Sequence, residues 1–455
     1  MIAAELNRWT LTELPRLNRA ILAGAQSPEA LVRRLASTAL NGLPPPESTS
    51  PAEAHRLVVL LGLVGASVAR HYQEQDLTRK AAPDLAFTPL RVGPDGIPFL
   101  DYFRRLATAT GTGHPDRDSY ASLVRWNAPA IEVRVAGTIV ADLPGAFADG
   151  TIRTYTNDPG EVAFFVLLKK SEALELAAND LLQPISDGTI DILSPDATDR
   201  VRLATLALRA LRHLNLDFAS APVSGGGLRS EHFMDVFRQF AVHWTPGDLP
   251  PSGAQDPEFL RRDLLLGLDF AGYDRQVARI MPTLLDSDRA LLTRLLRTPT
   301  LPTVLLRSLH LDQQGMTALS TSQLRGLALD RPELGAWYLL LAANAKFAAT
   351  HLMLTEKFLF RPQSERDATG VGDRLLVSNR EGTTGLAHPI LEQLTHARQH
   401  HALATLARLP ASELARLCGL PPTPPITSEY VAGMVRFSTQ PGNGERALYP
   451  EVCYS

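Results

Sequence analysis

From Gly160 onward apolar residues recur at helical spacing in one segment after another, and almost no stretch alternates as a strand would. This constrains the chain more than any other feature. The pattern predicts helices over 160–182, 199–214, 230–242, 258–269, 286–296 and 331–360, the last being the longest. Upstream, the break Pro44-Pro45-Pro46 precedes a long buried helix over 51–73. Prolines and glycines then recur over 82–116 around a short helix at 100–109, which reads as a connector. A helical turn at 116–124 and a short strand or extended loop at 133–140 complete the reading. The expectation is an all-α protein: a small helical N-terminal domain with its connector (1–115), a large helical domain (116–420), and a Pro-rich C-terminal tail (421–455) that wraps the surface or stays loose.

Composition removes several function classes. The formal net charge is -3 with a pI near 6.5, so no basic face is offered to nucleic acid or to an anionic membrane. The two cysteines, Cys418 and Cys453, cannot build a disulfide framework. The first ten residues lack a basic segment followed by an apolar one, and the longest apolar run, 57–68, is short of the roughly 20 residues of a membrane span. A cytoplasmic protein without nucleic-acid or membrane partners is expected.

No phosphate-binding loop, dinucleotide glycine pattern, HExxH, calcium loop or nucleophile elbow is present. Among the twelve histidines, His396 and His400 stand at i, i+4 with His401 and Glu392 near, a spacing that holds a metal but also suits a surface helix. His351 shares a helix face with Trp337, Leu341, Asn344, Ala348, Thr355 and Phe358, and alanines at 342, 343, 345, 348 and 349 thin the helix before it. Spacing alone leaves it as either a core histidine or a ligand reaching from an apolar face.

Resemblance adds a direction. The stretch His351-Leu352-Met353-Leu354-Thr355-Glu356-Lys357-Phe358-Leu359, followed by Ala368-Thr369-Gly370-Val371-Gly372-Asp373, resembles the proximal haem-histidine helix and the glycine-rich substrate loop of the indoleamine 2,3-dioxygenases. Phe233-Met234-Asp235-Val236-Phe237-Arg238 with Trp244, Phe270-Ala271-Gly272, and Tyr120 with Gly160-Glu161-Val162-Ala163-Phe164-Phe165 resemble further segments of that family, in the same order. Trp126-Asn127-Ala128-Pro129 and Arg153-Thr154-Tyr155-Thr156 also resemble the monodechloroaminopyrrolnitrin synthases, relatives that rearrange a chlorotryptophan.

The resemblance implies haem b with His351 as the axial iron ligand. It also implies an aromatic amino-acid substrate, tryptophan or a derivative in secondary metabolism, oxidised with dioxygen. Its binding residues would be Arg238 for the carboxylate, Phe233 for the ring, Tyr120, Phe164 and Leu168 on the distal wall, and Thr369, Gly370 and Val371 in the loop. A guanidinium fork suits a carboxylate, and an aromatic face suits a flat ring. The implied mechanism needs no strong protein base, in keeping with a pocket poor in titratable groups. Val371 stands where the family carries a hydroxyl residue, Asp373 where it carries glycine, Leu168 where a small polar residue is expected, and Tyr273 in a loop that should stay small. Those departures turn the expectation away from plain ring cleavage. The alternatives are a haem-dependent hydroxylase or rearranging oxygenase, and a haem sensor or carrier with no use for Arg238 and Phe233.

Overall fold

The structure is a computed structural model that describes residues 2–112, 116–268, 270–370, 375–382 and 386–438. It is all-α, with short strands at its margin. Seven helices position the interior: α1 (Ile2–Leu22), α2 (Pro51–Gln75), α3 (Pro159–Ser186), α4 (Pro195–Ser220), α5 (Pro257–Leu266), α6 (Glu333–Thr355) and α7 (His388–Gln399). Four of them start alike. Ser50, Asp158, Ser194 and Asp256 each accept a backbone N–H of the first turn, and a proline follows at the first helical position, where its missing N–H costs nothing.

Two expected helices take other forms. The segment 230–242 is one turn, Ser230–His232, then a wide π turn, Phe233–Phe237, then a 3₁₀ turn, Arg238–Phe240. Residues 237–240 are buried at four successive positions, which leaves no outward stripe for a regular amphipathic helix. The segment 116–124 narrows to a π turn at Ala121–Arg125. The long helix goes beyond expectation: α6 ends at Thr355, a π turn spans Glu356–Phe360, and Arg361–Thr369 continues the rod. The wider turn lies just before Pro362, whose ring and missing N–H disfavour a regular α turn.

Residues 133–140 belong to a hairpin, β1 (Ile131–Val135) and β2 (Thr138–Leu143), with a bulge at Val133/Arg134. A third strand, β3 (Val435–Phe437), pairs antiparallel with the other edge of β1. Of the two expectations for the tail, wrapping the surface or staying loose, residues 428–437 meet the first: the helix Ser428–Met434 and β3 bury Val431, Met434 and Val435, a long-range pairing that local composition does not carry.

Two large apolar cores result. One surrounds α2 and takes in Phe99, Phe103, Tyr155, Phe237, Phe240 and Trp244; the other lies between α3, α4, α6 and the sheet. α2 is long and apolar enough to cross a membrane, but 78% of its apolar window is buried inside the molecule, as in a core helix. At its middle a Cβ on Gly65 would come within 2.2 Å of the Trp244 ring, so glycine is what lets the indole lie against the helix. Arg70 of α2 stacks on Phe240 at 4.3 Å and donates to the carbonyls of Val236 and Asp235. The first core therefore grips the irregular segment that carries Phe233 and Arg238.

Candidate functional site

Between the two cores lies an apolar cavity of about 270 Å³. Tyr120, Phe164, Leu168, Phe233, Arg238 and His351 all line it, although 231 residues separate the first of them from the last in sequence. Phe164 stands 5.4 Å from both Phe233 and Phe237, tilted and edge-on respectively, and the three rings make an aromatic wall. The segments at 126–129 and 153–156 meet each other. Asn127 exchanges two hydrogen bonds with the Arg153 backbone, and Tyr155 stacks on Phe240 at 4.1 Å to close the cavity on that side.

Thr369 and Gly370 do not reach the cavity. They end the helix Arg361–Thr369 on the exposed surface, where Gly370 takes a left-handed cap conformation and the Thr369 hydroxyl bonds back to Arg366. Val371 lies outside the described residues, as do Gly372 and Asp373. Trp244 belongs to the first core and not to the cavity.

His351 projects from α6 between the rings of Phe259 and Phe347, 6.0 and 6.2 Å away. It lies between the main cavity and a smaller adjoining void of about 90 Å³, which Tyr273, Ala348 and Arg398 also line. Its surface is uncovered, yet it opens onto these voids within the molecule. Neither ring nitrogen has a hydrogen-bond partner among the described residues, and burial together with Arg398 and Arg262 pushes the imidazole down to about 4, so it is neutral at physiological pH.

The alanine-thinned face needs correction. Ala342 and Ala343 turn toward a different cleft beside α4, and Phe347 takes the cavity side. Of the expected face, Thr355 and Phe358 line the cavity with His351 and Ala348 lines the smaller void beside it, and Phe347 and Leu354 join them.

Arg238 is 5% exposed. It donates to the carbonyls of Ser378 (2.8 Å) and Glu381 (2.5 Å), its Nε has no partner, and no carboxylate pairs with it among the described residues. Burial lowers it to about 10, so it stays charged at neutral pH. Gln239 beside it binds the backbone of 376–377 through both its amide atoms, which fixes the strip on which Arg238 rests.

The cavity is richer in polar groups than its sequence neighbours suggested, and the expectation of a pocket poor in titratable groups is corrected. Asp118, Glu175 and Asp256 line it, with Ser171 and Asn215. Asp118 is raised to about 6 by burial despite its pairing with Arg117, and Glu175 to about 7 by burial, with Arg262 opposing. Asp256 is raised well above the carboxylate range by burial and by Glu175, Glu172 and Glu258. Tyr120 donates to Asp256 at 3.2 Å. Leu168 is apolar where the resemblance implies a small polar residue, and Ser171 supplies a hydroxyl a turn further along α3. The missed residues carried one signal: Glu175 stands alone in the apolar run Ala173-Leu174-Glu175-Leu176-Ala177-Ala178.

Behind His351 lies a closed ionic cluster. Arg398 grips Asp263 with two nitrogens, Tyr273 donates to it at 2.6 Å, and Arg262 bridges Asp263 and Glu175 while covering the Phe259 and Phe347 rings. Tyr273, the large residue in the loop expected to be small, is thus a member of this cluster.

For a metal ion, the ligand atoms of Glu356, His388 and Glu392 lie within 4.8 Å of one another at the rim of α6 and α7. His388 already pairs with Glu356 there. His396 and His400 stack on the exposed face of α7 and do not join this group. No protein-family model matches the chain, and no characterised protein is significantly similar to it.

Proposed function

We propose that the chain is a haem-dependent oxygenase of the indoleamine 2,3-dioxygenase-like type, acting on tryptophan or a related aromatic amino acid. The carrying observation is His351: an enclosed, neutral imidazole with no hydrogen-bond partner among the described residues, facing an apolar cavity between two aromatic rings. Neutral imidazole is the form that ligates a metal, and a ring that opens onto an internal cavity with no protein partner among the described residues is free to take a ligand there. The haem would supply redox chemistry with dioxygen. The chain's own part would be ligation by His351, a largely apolar enclosure, an aromatic wall at Phe164 and Phe233 for a ring, and Arg238, which no carboxylate pairs among the described residues, for a carboxylate.

A second reading in the same class, hydroxylation or rearrangement, is favoured by the acids on the wall. Ring opening that keeps both atoms of dioxygen takes up no proton, whereas hydroxylation with a two-electron donor releases one atom as water and takes up two. The mass gained by the product, two oxygen atoms or one, decides between them.

The test of the main reading is reconstitution with haemin. Wild type is expected to show a stoichiometric Soret band of an imidazole-ligated haem, and His351→Ala to lose it or to hold haem weakly without the imidazole. A wild-type protein with no Soret band after reconstitution would sink the reading.

A further inference from the structure

We propose that Glu175 and Asp256 together are the acid of the cavity: the pair keeps one proton on the wall and passes it to a basic atom of the ligand bound there. Leu168, Ser171 and Glu175 fall at i, i+3 and i+7 on α3, so one face presents in turn an apolar wall, a hydroxyl and a carboxyl. Asp256 comes from the cap of α5, and its side chain meets that of Glu175 within hydrogen-bonding reach. Two carboxyls in contact in a low-dielectric interior hold one proton between them at rest, because ionising both costs their mutual repulsion.

Counting the cations explains why the proton stays here. Glu172 and Asp288 have Arg125, Glu258 has Arg261, and Asp263 has Arg398. Glu175 has only Arg262, which also serves Asp263, and Asp256 has no cation among the described residues. Besides Glu175, Asp256 is met among the described residues by the Tyr120 hydroxyl and the amides of Glu258 and Phe259. Lys169, which neighbours Glu172, spends its ammonium on the carbonyls of Arg125 and Pro144.

A second observation points to a ligand at the same wall. Asn215 of α4 lines the cavity at 2% exposure, and its side-chain N–H group has no partner among the described residues. The Ser171 hydroxyl has none either among the described residues. Unused donors beside a proton-bearing pair suit a ligand with acceptor atoms. In the transfer the proton moves to the ligand's basic atom, the pair is left fully ionised beside Arg262 and the Tyr120 hydroxyl, and solvent returns the proton when the product leaves.

That the ligand is an oxygenase substrate rests on the reading above; the shared proton does not. Infrared spectra of the haem-free and the haem-loaded protein at neutral pH should carry a protonated-carboxyl C=O band that disappears in Asp256→Asn and in Glu175→Gln. Asparagine caps a helix as aspartate does, so the first variant keeps α5. If neither substitution removes such a band, the proposal is overturned whether or not haem binds. With L-tryptophan and ring-substituted analogues, turnover should fall on the alkaline side, and either variant should lower it by about 100-fold, a usual share for a positioned acid. Tyr120→Phe removes a donor that favours the ionised pair, so the alkaline fall should move to higher pH. Variants matching wild type in rate and pH profile overturn the acid role. A wild type with the infrared band but without haem or turnover would instead overturn the oxygenase reading and leave the shared proton standing.

Discussion

Two buried arginine groups border the same interior and are built differently. Behind His351, Arg398 and Arg262 close on Asp263 and Glu175, and Tyr273 completes the carboxylate's shell. Across the cavity, Arg238 rests on two backbone carbonyls, with its Nε unused and no carboxylate among the described residues. The first is a structural element, because its charges are matched within the fold. The second has no such match among the described residues, and an anion entering the cavity would supply one. A buried charge is costly unless paired, so an unpaired one at a cavity is best understood through its ligand.

The comparison breaks most visibly at Asp263. Burial alone would raise this carboxyl, but Arg398 and Arg262 hold it below its ordinary range. Asp263→Ala leaves Arg398 buried without its carboxylate and Arg262 with Glu175 alone, and should cost about 3–5 kcal/mol of stability in urea unfolding. A loss no larger than that of an exposed aspartate would show that the cluster is not closed. Arg238→Met should behave in the opposite way. It removes a buried charge that the fold does not match, so stability should change by less than about 1.5 kcal/mol, the worth of an ordinary hydrogen bond. Binding of a carboxylate-bearing indole ligand should weaken by about 2–5 kcal/mol. If decarboxylated analogues bind wild type as tightly as the parent acid, Arg238 serves another anion.

The two groups also differ in how far the sequence discloses them. Arg238 and Phe233 lie five residues apart in one motif, and His351 with its neighbours lies in another, so a local reading finds them. The closed cluster joins Glu175, Asp263, Tyr273 and Arg398 from four separate segments, and each of these residues looks locally like an ordinary helix-face charge or loop aromatic. Only the packing of α3, α5 and α7 around α6 brings them together. Helical period gave the positions of α3, α4 and α6 well because their stripes are long. It failed at 230–242, where four successive positions are buried, and at β3, whose partner β1 lies some 300 residues upstream.

The smallest expected effect is on pH dependence, and it separates His351 from the acids it shares the cavity with. His351 is lowered from 6.5 to about 4 by burial and by Arg398 and Arg262, so as pH falls from 6.5 the unfolded chain takes up its proton while the folded protein does not. The stability that comes from keeping it neutral is therefore present above pH 6.5 and lost progressively toward pH 4. Asp118 runs the other way: with its carboxyl raised from 3.8 to about 6, the folded protein takes the proton first, and acidification through that window favours folding. His351→Gln should then lose less stability than wild type between neutral pH and about pH 5, measured as the shift in urea midpoint. Haem should enlarge the wild-type difference, because iron competes with the proton for the same nitrogen. A His351→Gln variant that falls in parallel with wild type, with and without haem, would mean that the imidazole takes up its proton as readily in the folded protein as in the unfolded chain and that the enclosure does not hold it neutral.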